Sequence, residues 1–131
     1  MKNNFSRIVE YLYYSSLAVL FILYLFPGSL IGYFLYGNLG QQPNIINNPI
    51  GTSINHLFFF IYLSFLGLTA RLKEKKFINS FQFLIFISIL LEIMHFLIPN
   101  RVFEFYDLYA NSAGVIFSYL FIRIFLKKKI R

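Results

Sequence analysis

The sequence predicts an all-α membrane protein built as a bundle of four transmembrane helices. Of its 131 residues, 58% are hydrophobic and 13% are charged, whereas about a quarter of a typical soluble domain is charged. A chain of this length cannot hide so much apolar surface in its own core, so lipid must cover part of it. Four apolar segments approach the roughly 20 residues that a helix needs to cross a bilayer. None of them shows the two-residue alternation of a membrane β-strand.

The first predicted helix covers residues 9–36. Its apolar character continues beyond Pro27 and Gly28, so we expect one helix with a kink at the proline, which cannot donate a backbone hydrogen bond. The stretch LFPGSL lacks the small-x-small pattern of a signal-peptide cleavage site. The segment is therefore predicted to remain in the protein as a membrane helix.

Three further helices follow, and with the first they form one predicted transmembrane domain over residues 1–131. They cover residues 54–70, 77–98 and 108–126. The uncharged segment 37–53 is rich in Gly, Pro and Asn, which is typical of a loop. The other two connections are a short basic turn and a short mixed loop. The sequence contains no internal repeat and no separate soluble domain.

The basic residues predict the orientation of this bundle. With the N-terminus inside, eleven of the twelve Lys and Arg residues lie on the inner side, and only Arg101 lies outside. Because cytoplasmic segments carry an excess of Lys and Arg, both termini are predicted to be cytoplasmic. The basic residues cluster at helix ends rather than on a solvated face, so no nucleic-acid partner is expected despite a formal charge of +7. The absence of cysteine excludes disulfides and thiolate-bound metals.

Polar residues of the third and fourth helices are predicted to meet near the outer membrane boundary. Glu92 and His95 are three residues apart and share a helix face, as do Asp107 and Asn111, which are four apart. A short loop makes these helices antiparallel neighbours, so the two faces can meet. A carboxylate inside a membrane span raises the free energy of membrane insertion by about 2.5–3.5 kcal/mol. Glu92 therefore needs a partner, and we predict a contact with Arg101, for which Asp107 competes.

The predicted ligand-binding residues are Glu92, Arg101, Asp107, Asn111, His56 and His95. The candidates for proton transfer in catalysis are Glu92, His56 and His95. Structural roles stay open beside these. Asp107 can serve as the N-cap of the fourth helix, and Asn111 can form an interhelical hydrogen bond. Ala110, Gly114 and Ser118 form a small-residue stripe that is typical of close helix packing.

The sequence predicts no metal site and no cofactor. Glu92-x-x-His95 together with His56 could supply three metal ligands. Di-iron sites in helix bundles, however, need two copies of the Glu-x-x-His motif and further carboxylates, and this chain has one copy. No G-x-S-x-G motif marks a nucleophile. The residues therefore indicate a polar site without deciding whether the protein is an enzyme.

The stretch EIMHFLIPNRVFEFYDLYANSAG (92–114) resembles the signature of the VanZ-like family of small bacterial membrane proteins. That signature runs approximately E-x-x-Q, then P-x-R, then D-x-x-x-N-x-x-G. The residues that match it in order and spacing are Glu92, Pro99, Arg101, Asp107, Asn111 and Gly114. His56 resembles a histidine that the family carries in its second helix. Two features depart from the pattern: His95 replaces a Gln, and Thr52-Ser53 replaces an Asp-Lys pair.

The resemblance implies a role in the bacterial cell envelope and a location in the inner membrane, since the family is named for an accessory protein of glycopeptide-antibiotic resistance. Three classes of function follow for this chain. In the first, a polar pocket in the outer leaflet binds a lipid headgroup or a lipid-linked precursor, and Arg101 contacts its phosphate. The second is a small accessory or structural subunit with a membrane protein partner. The third is an intramembrane hydrolase or transferase that acts on a lipid-linked substrate.

Overall fold

The computed structural model describes residues 4–44 and 51–126, and within these ranges the chain is all-helical. The five α-helices are α1 (Asn4–Leu25), α2 (Leu30–Tyr36), α3 (Ser53–Arg71), α4 (Phe81–Met94) and α5 (Phe105–Phe121). A 3₁₀ turn (Phe77–Asn79) precedes α4, and a π-helical segment (Ile122–Leu126) continues α5. Some of the basic residues on which the predicted orientation rests lie outside the described ranges, namely Lys2, Lys127, Lys128, Lys129 and Arg131.

Three helices are long and apolar enough to cross a membrane: α1, α3, and α5 with its π-helical continuation. The shorter helix α4 is also apolar but has 14 residues. At 1.5 Å per residue it is about 21 Å long, less than the ~30 Å of a bilayer core. The predicted helix 77–98 is therefore too long. Ser80 starts α4 as an N-cap that accepts a hydrogen bond from the Phe83 N–H at 3.1 Å, and the helix ends before Pro99.

The prediction of one continuous helix over residues 9–36 is wrong. The structure has two helices there, because α1 ends at Leu25 and α2 begins at Leu30. Gly28 adopts a φ of 106°, in the left-handed region that glycine tolerates. The neighbouring Pro27 has no N–H to donate to a helix. Ser29 then caps α2, its Oγ accepting a hydrogen bond from the Gly32 N–H at 2.9 Å. The expected kink is thus a complete helix break.

One face of α1 packs into the bundle. Its buried residues recur every three or four positions, as expected for a single helix face. The core cluster that includes this face draws Tyr13, Leu17, Leu20 and Tyr24 from α1, Phe60 and Leu63 from α3, Leu84, Ile87 and Leu91 from α4, and Val115 from α5. The outward faces of the long helices carry exposed Phe, Leu, Ile and Tyr side chains. Lipid tails are as apolar as these side chains and can cover them.

Two polar contacts define opposite ends of the bundle. At one end Lys76 Nζ lies 2.8 Å from Glu10 Oε1 of α1, and this hydrogen bond raises the pKa of the Lys76 ammonium. At the other end Arg101, in the α4–α5 loop, donates to the carbonyl oxygens of Leu23 and Phe26. The carboxyl ends of α1 and α4 therefore lie beside the amino ends of α3 and α5.

Gly114 lets α5 approach α3 closely. A Cβ atom built on Gly114 would lie 2.8 Å from the carbonyl oxygen of Leu57, 2.9 Å from the Cβ of Phe60 and 3.0 Å from the backbone nitrogen of Ile61. Two of these three neighbours are backbone atoms, which cannot rotate away. Farther along the same face, Ser118 Oγ donates to the Ile61 carbonyl oxygen at 3.0 Å. The two helices are thus in backbone contact along the small-residue stripe.

We expect Gly114→Ala to destabilise the protein. Overpacking a close contact costs about 1–3 kcal/mol, and the backbone neighbours of Gly114 favour the upper part of this range, about 2–3 kcal/mol. Replacing a helical glycine by alanine regains about 1 kcal/mol, so a net loss of about 1–2 kcal/mol is expected. The measurement is thermal unfolding in detergent, followed by circular dichroism. Ala113→Leu is the control, because Ala113 is exposed on the same helix. Equal unfolding midpoints for Gly114→Ala and the wild type would contradict the close contact.

Candidate functional site

Seven polar side chains converge where the four apolar helices α1, α3, α4 and α5 meet at one end of the bundle. We call this group the polar cluster; it consists of Tyr24, Ser53, His56, Glu92, His95, Asp107 and Asn111. Six of its members are buried and His56 is nearly so. Each sits where the buried face of its helix reaches this end, which is why helical spacing in the sequence could identify most of them.

Glu92 connects the end of α4 to the start of α5. Its side chain is completely buried, with 0% exposure. Oε1 accepts hydrogen bonds from the backbone N–H of Glu104 at 3.1 Å and from Nδ1 of His95 at 3.2 Å. Oε2 has no hydrogen-bond partner in the described part of the chain. A buried carboxylate oxygen without a partner is uncommon in proteins.

Asp107 is held by α3. Ser53 Oγ, at the first residue of α3, donates to Oδ1 of Asp107, while Oδ2 lies 3.5 Å from Nε2 of His56. The predicted role of Asp107 as an N-cap is wrong, because Glu104 occupies the N-cap position and α5 begins at Phe105. Asp107 instead lies in the first turn, where a carboxylate interacts favourably with the helix dipole.

Tyr24 is the centre of the cluster and was not predicted from the sequence. Its hydroxyl lies 2.9 Å from Oδ1 of Asn111 and 2.7 Å from Nδ1 of His56. Asn111 Nδ2 donates to the Ser88 carbonyl oxygen at 3.3 Å, so Oδ1 is the acceptor for the Tyr24 hydroxyl. His56 Nδ1 must then donate to the Tyr24 oxygen. The bond pattern therefore places a proton on Nδ1 of His56 and turns Nε2 toward Asp107.

A sequence signal for Tyr24 exists. It closes the buried series Tyr13, Leu17 and Leu20 on the same face of α1, just before the helix-breaking Pro27. A tyrosine at the end of such a stripe places its ring in the core and its hydroxyl at the boundary. The ring also stacks on His95, with centroids 5.4 Å apart and an interplanar angle of 19°.

Arg101 does not form the predicted contact with Glu92. Its Nε donates to the Phe26 carbonyl oxygen at 3.2 Å, and its Nη2 donates to the Leu23 carbonyl oxygen. The last carbonyls of a helix lack intrahelical donors, and the break after α1 leaves these two for the guanidinium. Burial lowers the pKa of Arg101, and the nearby Tyr24, Glu92 and Asp107 act in the opposite direction.

A cavity of about 650 Å³, measured out to its open mouth, lies next to the polar cluster. One part of its wall is apolar and includes Leu20, Leu23, Leu30, Ile31 and Phe59. The other part is polar and includes Tyr24, Ser29, Asn55, His56, His95 and Arg101. Of the residues predicted to bind a ligand, three lie in this wall: His56, His95 and Arg101. Glu92, Asp107 and Asn111 are not among the lining residues and lie behind His56, His95 and Tyr24.

One set of metal-ligating atoms lies close together in the cluster. A ring nitrogen of His56 and one carboxylate oxygen each of Glu92 and Asp107 all lie within 4.8 Å of one another. The combination considered from the sequence had His95 as the third residue. The structure instead brings in Asp107, because the first turn of α5 packs against the start of α3.

No protein-family model matches the chain, and no curated protein or solved structure matches it significantly. Membership of the VanZ-like family therefore stays a prediction from the residues quoted above.

We expect Tyr24→Phe to lower the stability of the bundle. Loss of the hydroxyl leaves the N–H of His56 and the amide oxygen of Asn111 without partners, and a buried unpaired group costs about 1–3 kcal/mol. The measurement is the free energy of unfolding in detergent. Tyr109→Phe is the control, because this residue is 65% exposed and surface changes cost at most about 0.5 kcal/mol. A similar loss in both variants would contradict the role of Tyr24.

Proposed function

We propose that this protein is a small multi-pass protein of the bacterial inner membrane that binds the phosphate headgroup of a lipid or of a lipid-linked envelope precursor. The observation that carries the proposal is the cavity, which pairs an apolar wall with Arg101, His56 and His95. A lipid presents the same pairing, a charged headgroup joined to an apolar chain. The resemblance to the VanZ-like family supports the bacterial envelope as the setting.

Arg101 is the residue that would recognise the phosphate. A guanidinium offers several N–H donors in a planar fork that matches phosphate oxygens. Two of its nitrogens are engaged by the carbonyl oxygens of Leu23 and Phe26, which hold the side chain in place. Nη1 has no acceptor among the described residues and remains for a ligand. A preorganised guanidinium loses little side-chain entropy on binding.

His95 adds a second polar position in the cavity wall. Its Nδ1 is engaged by Glu92, and its Nε2 is buried without a hydrogen-bond partner in the described ranges. A buried polar atom without a partner is costly. Because Nδ1 donates to the Glu92 carboxylate, Nε2 is the acceptor of the neutral ring. A headgroup hydroxyl that donates to Nε2 would remove the cost, so Nε2 is a natural contact for the ligand.

The proposed orientation has four crossings, with both termini cytoplasmic and the polar cluster at the outer boundary. Apolar residues that precede and follow α4 in the sequence would complete its crossing of the membrane. Exposed tyrosines at the same end support this placement, since Tyr side chains concentrate at membrane–water interfaces. They include Tyr33, Tyr36, Tyr106 and Tyr109.

The orientation can be tested with single cysteines, because the chain has none of its own. We expect Val102→Cys, at a position that is 73% exposed, to react with an impermeant maleimide added to intact cells. Lys75→Cys, an exposed position at the opposite end, should react only after the membrane is opened. The reverse pattern would refute the proposed orientation.

Substitution of Arg101 tests the headgroup site. We expect Arg101→Gln to retain at least about 10-fold less anionic lipid than the wild type, a loss of about 1.4 kcal/mol. Arg101→Lys keeps the charge but lacks the planar fork, so an intermediate loss is expected. Arg123→Gln is the matched control, because Arg123 is exposed on the π-helical segment after α5, outside the cavity wall. Native mass spectrometry of purified protein measures the retained lipid.

The same experiment separates the alternatives. An anionic phospholipid and an isoprenyl phosphate offered in separate samples show which lipid class is preferred. Unchanged lipid retention in a folded Arg101→Gln variant would overturn the proposal. If Arg101→Gln and Arg101→Lys both unfold and the wild type retains no lipid, the cluster is structural, as in an accessory subunit. Release of product from the lipid by the wild type would identify an enzyme.

A further inference from the structure

We propose that the polar cluster holds one divalent transition-metal ion, with His56, Glu92 and Asp107 as its ligands. These residues come from three different helices, yet each offers a ligand atom within 4.8 Å of those of the other two. The site lies beside the lipid cavity and does not depend on lipid binding.

Each of the three residues has one atom held by a hydrogen bond and a second atom that forms no hydrogen bond among the described residues. His56 is held at Nδ1 by Tyr24, Asp107 is held at Oδ1 by Ser53, and Glu92 is held at Oε1 by Glu104 and His95. The atoms that remain are Nε2 of His56, Oδ2 of Asp107 and Oε2 of Glu92. Outer hydrogen bonds of this kind orient the ligands of metal sites and set the histidine tautomer.

The two carboxylates have histidine neighbours, His56 at 3.5 Å from Asp107 and His95 at 3.2 Å from Glu92, and an imidazole carries a charge only when it is protonated. Glu92 and Asp107 are 0% and 2% exposed, and two carboxylates in so dry a place are costly without positive charge beside them. Arg101 forms no ion pair with either one among the described residues and is engaged by backbone carbonyls. Oε2 of Glu92 has no partner in the described ranges. A divalent ion would neutralise both carboxylates and occupy that oxygen.

The ligand set favours zinc or a similar first-row ion. An imidazole with two carboxylates suits zinc or manganese, whereas magnesium prefers oxygen ligands alone. Zinc bonds of about 2.0–2.2 Å place tetrahedral ligands about 3.4 Å apart. Nε2 of His56 and Oδ2 of Asp107 are 3.5 Å apart. A carboxylate oxygen of Glu92 lies within 4.8 Å of a ligand atom of each of the other two residues. It has to move closer by at most about 1.4 Å, which a change in the side-chain torsion angles of Glu92 can supply.

The ion can reach this site from the cavity. His56 and His95 form part of the cavity wall, and the two carboxylates lie directly behind them. Three protein ligands leave a fourth position open, as in zinc sites that bind water or substrate. An entry path and a held set of ligands are the features expected of a metal site.

The test is metal binding by the full-length protein in detergent. After removal of metal with a chelator, ZnCl₂ is added, excess ion is dialysed away, and bound zinc is counted by mass spectrometry. We expect about one zinc per wild-type chain. The isosteric variants Glu92→Gln and Asp107→Asn should bind at least about 100-fold more weakly by isothermal titration calorimetry. Glu104→Gln is the control, because its carboxylate is exposed at the same end.

Further measurements distinguish the loss of a metal ligand from misfolding of these variants. Ser53→Ala removes the hydroxyl that holds Asp107, and we expect about 10- to 100-fold weaker zinc binding with circular dichroism unchanged. Cobalt in place of zinc should give the visible absorption of a tetrahedral site, and Asp107→Asn should alter it. No zinc bound by a folded wild type would overturn the proposal. Equal binding by the wild type, Asp107→Asn and Ser53→Ala would assign the zinc elsewhere and also overturn it.

Discussion

A short chain of hydrogen bonds that begins at the Tyr24 hydroxyl connects the four helices α1, α3, α4 and α5. The hydroxyl joins α1 to His56 of α3 and to Asn111 of α5, and Asn111 continues to the Ser88 carbonyl oxygen of α4. Between apolar helices in lipid, burial of more apolar surface gives little drive for association, and packing together with such bonds specifies the arrangement. The rotation of each helix is therefore limited by the need to keep these polar groups paired.

The helix break at Pro27–Gly28 has a second consequence for the same end of the molecule. It leaves the carbonyl oxygens of Leu23 and Phe26 without helical donors, and Arg101 occupies them. The arginine is consequently fixed at the wall of the cavity rather than paired with a buried carboxylate. Glu92 and Asp107 remain behind the wall without an arginine partner. One backbone feature thus separates the proposed headgroup site from the proposed metal site.

Several parts of this arrangement could be read from the sequence. The spacing of Asp107, Asn111 and Gly114 places them on one face of α5, and that face is buried. The same reasoning places Glu92 on the inner face of α4. The helix ends were harder to predict. Leu108 was the expected start of the last helix, whereas α5 begins at Phe105, directly after Glu104, whose backbone N–H donates a hydrogen bond to the Glu92 carboxylate.

The sequence by itself determined that the chain is helical, apolar enough for a membrane, and polar at one end of its bundle. Those properties follow from composition and from the 3.6-residue period, which are local. Only the tertiary structure decided which atoms meet: Tyr24 with His56, Ser53 with Asp107, and Arg101 with the end of α1. Partners across helices depend on the rotation and offset of each helix and on backbone groups freed by a break. No spacing within one helix encodes them.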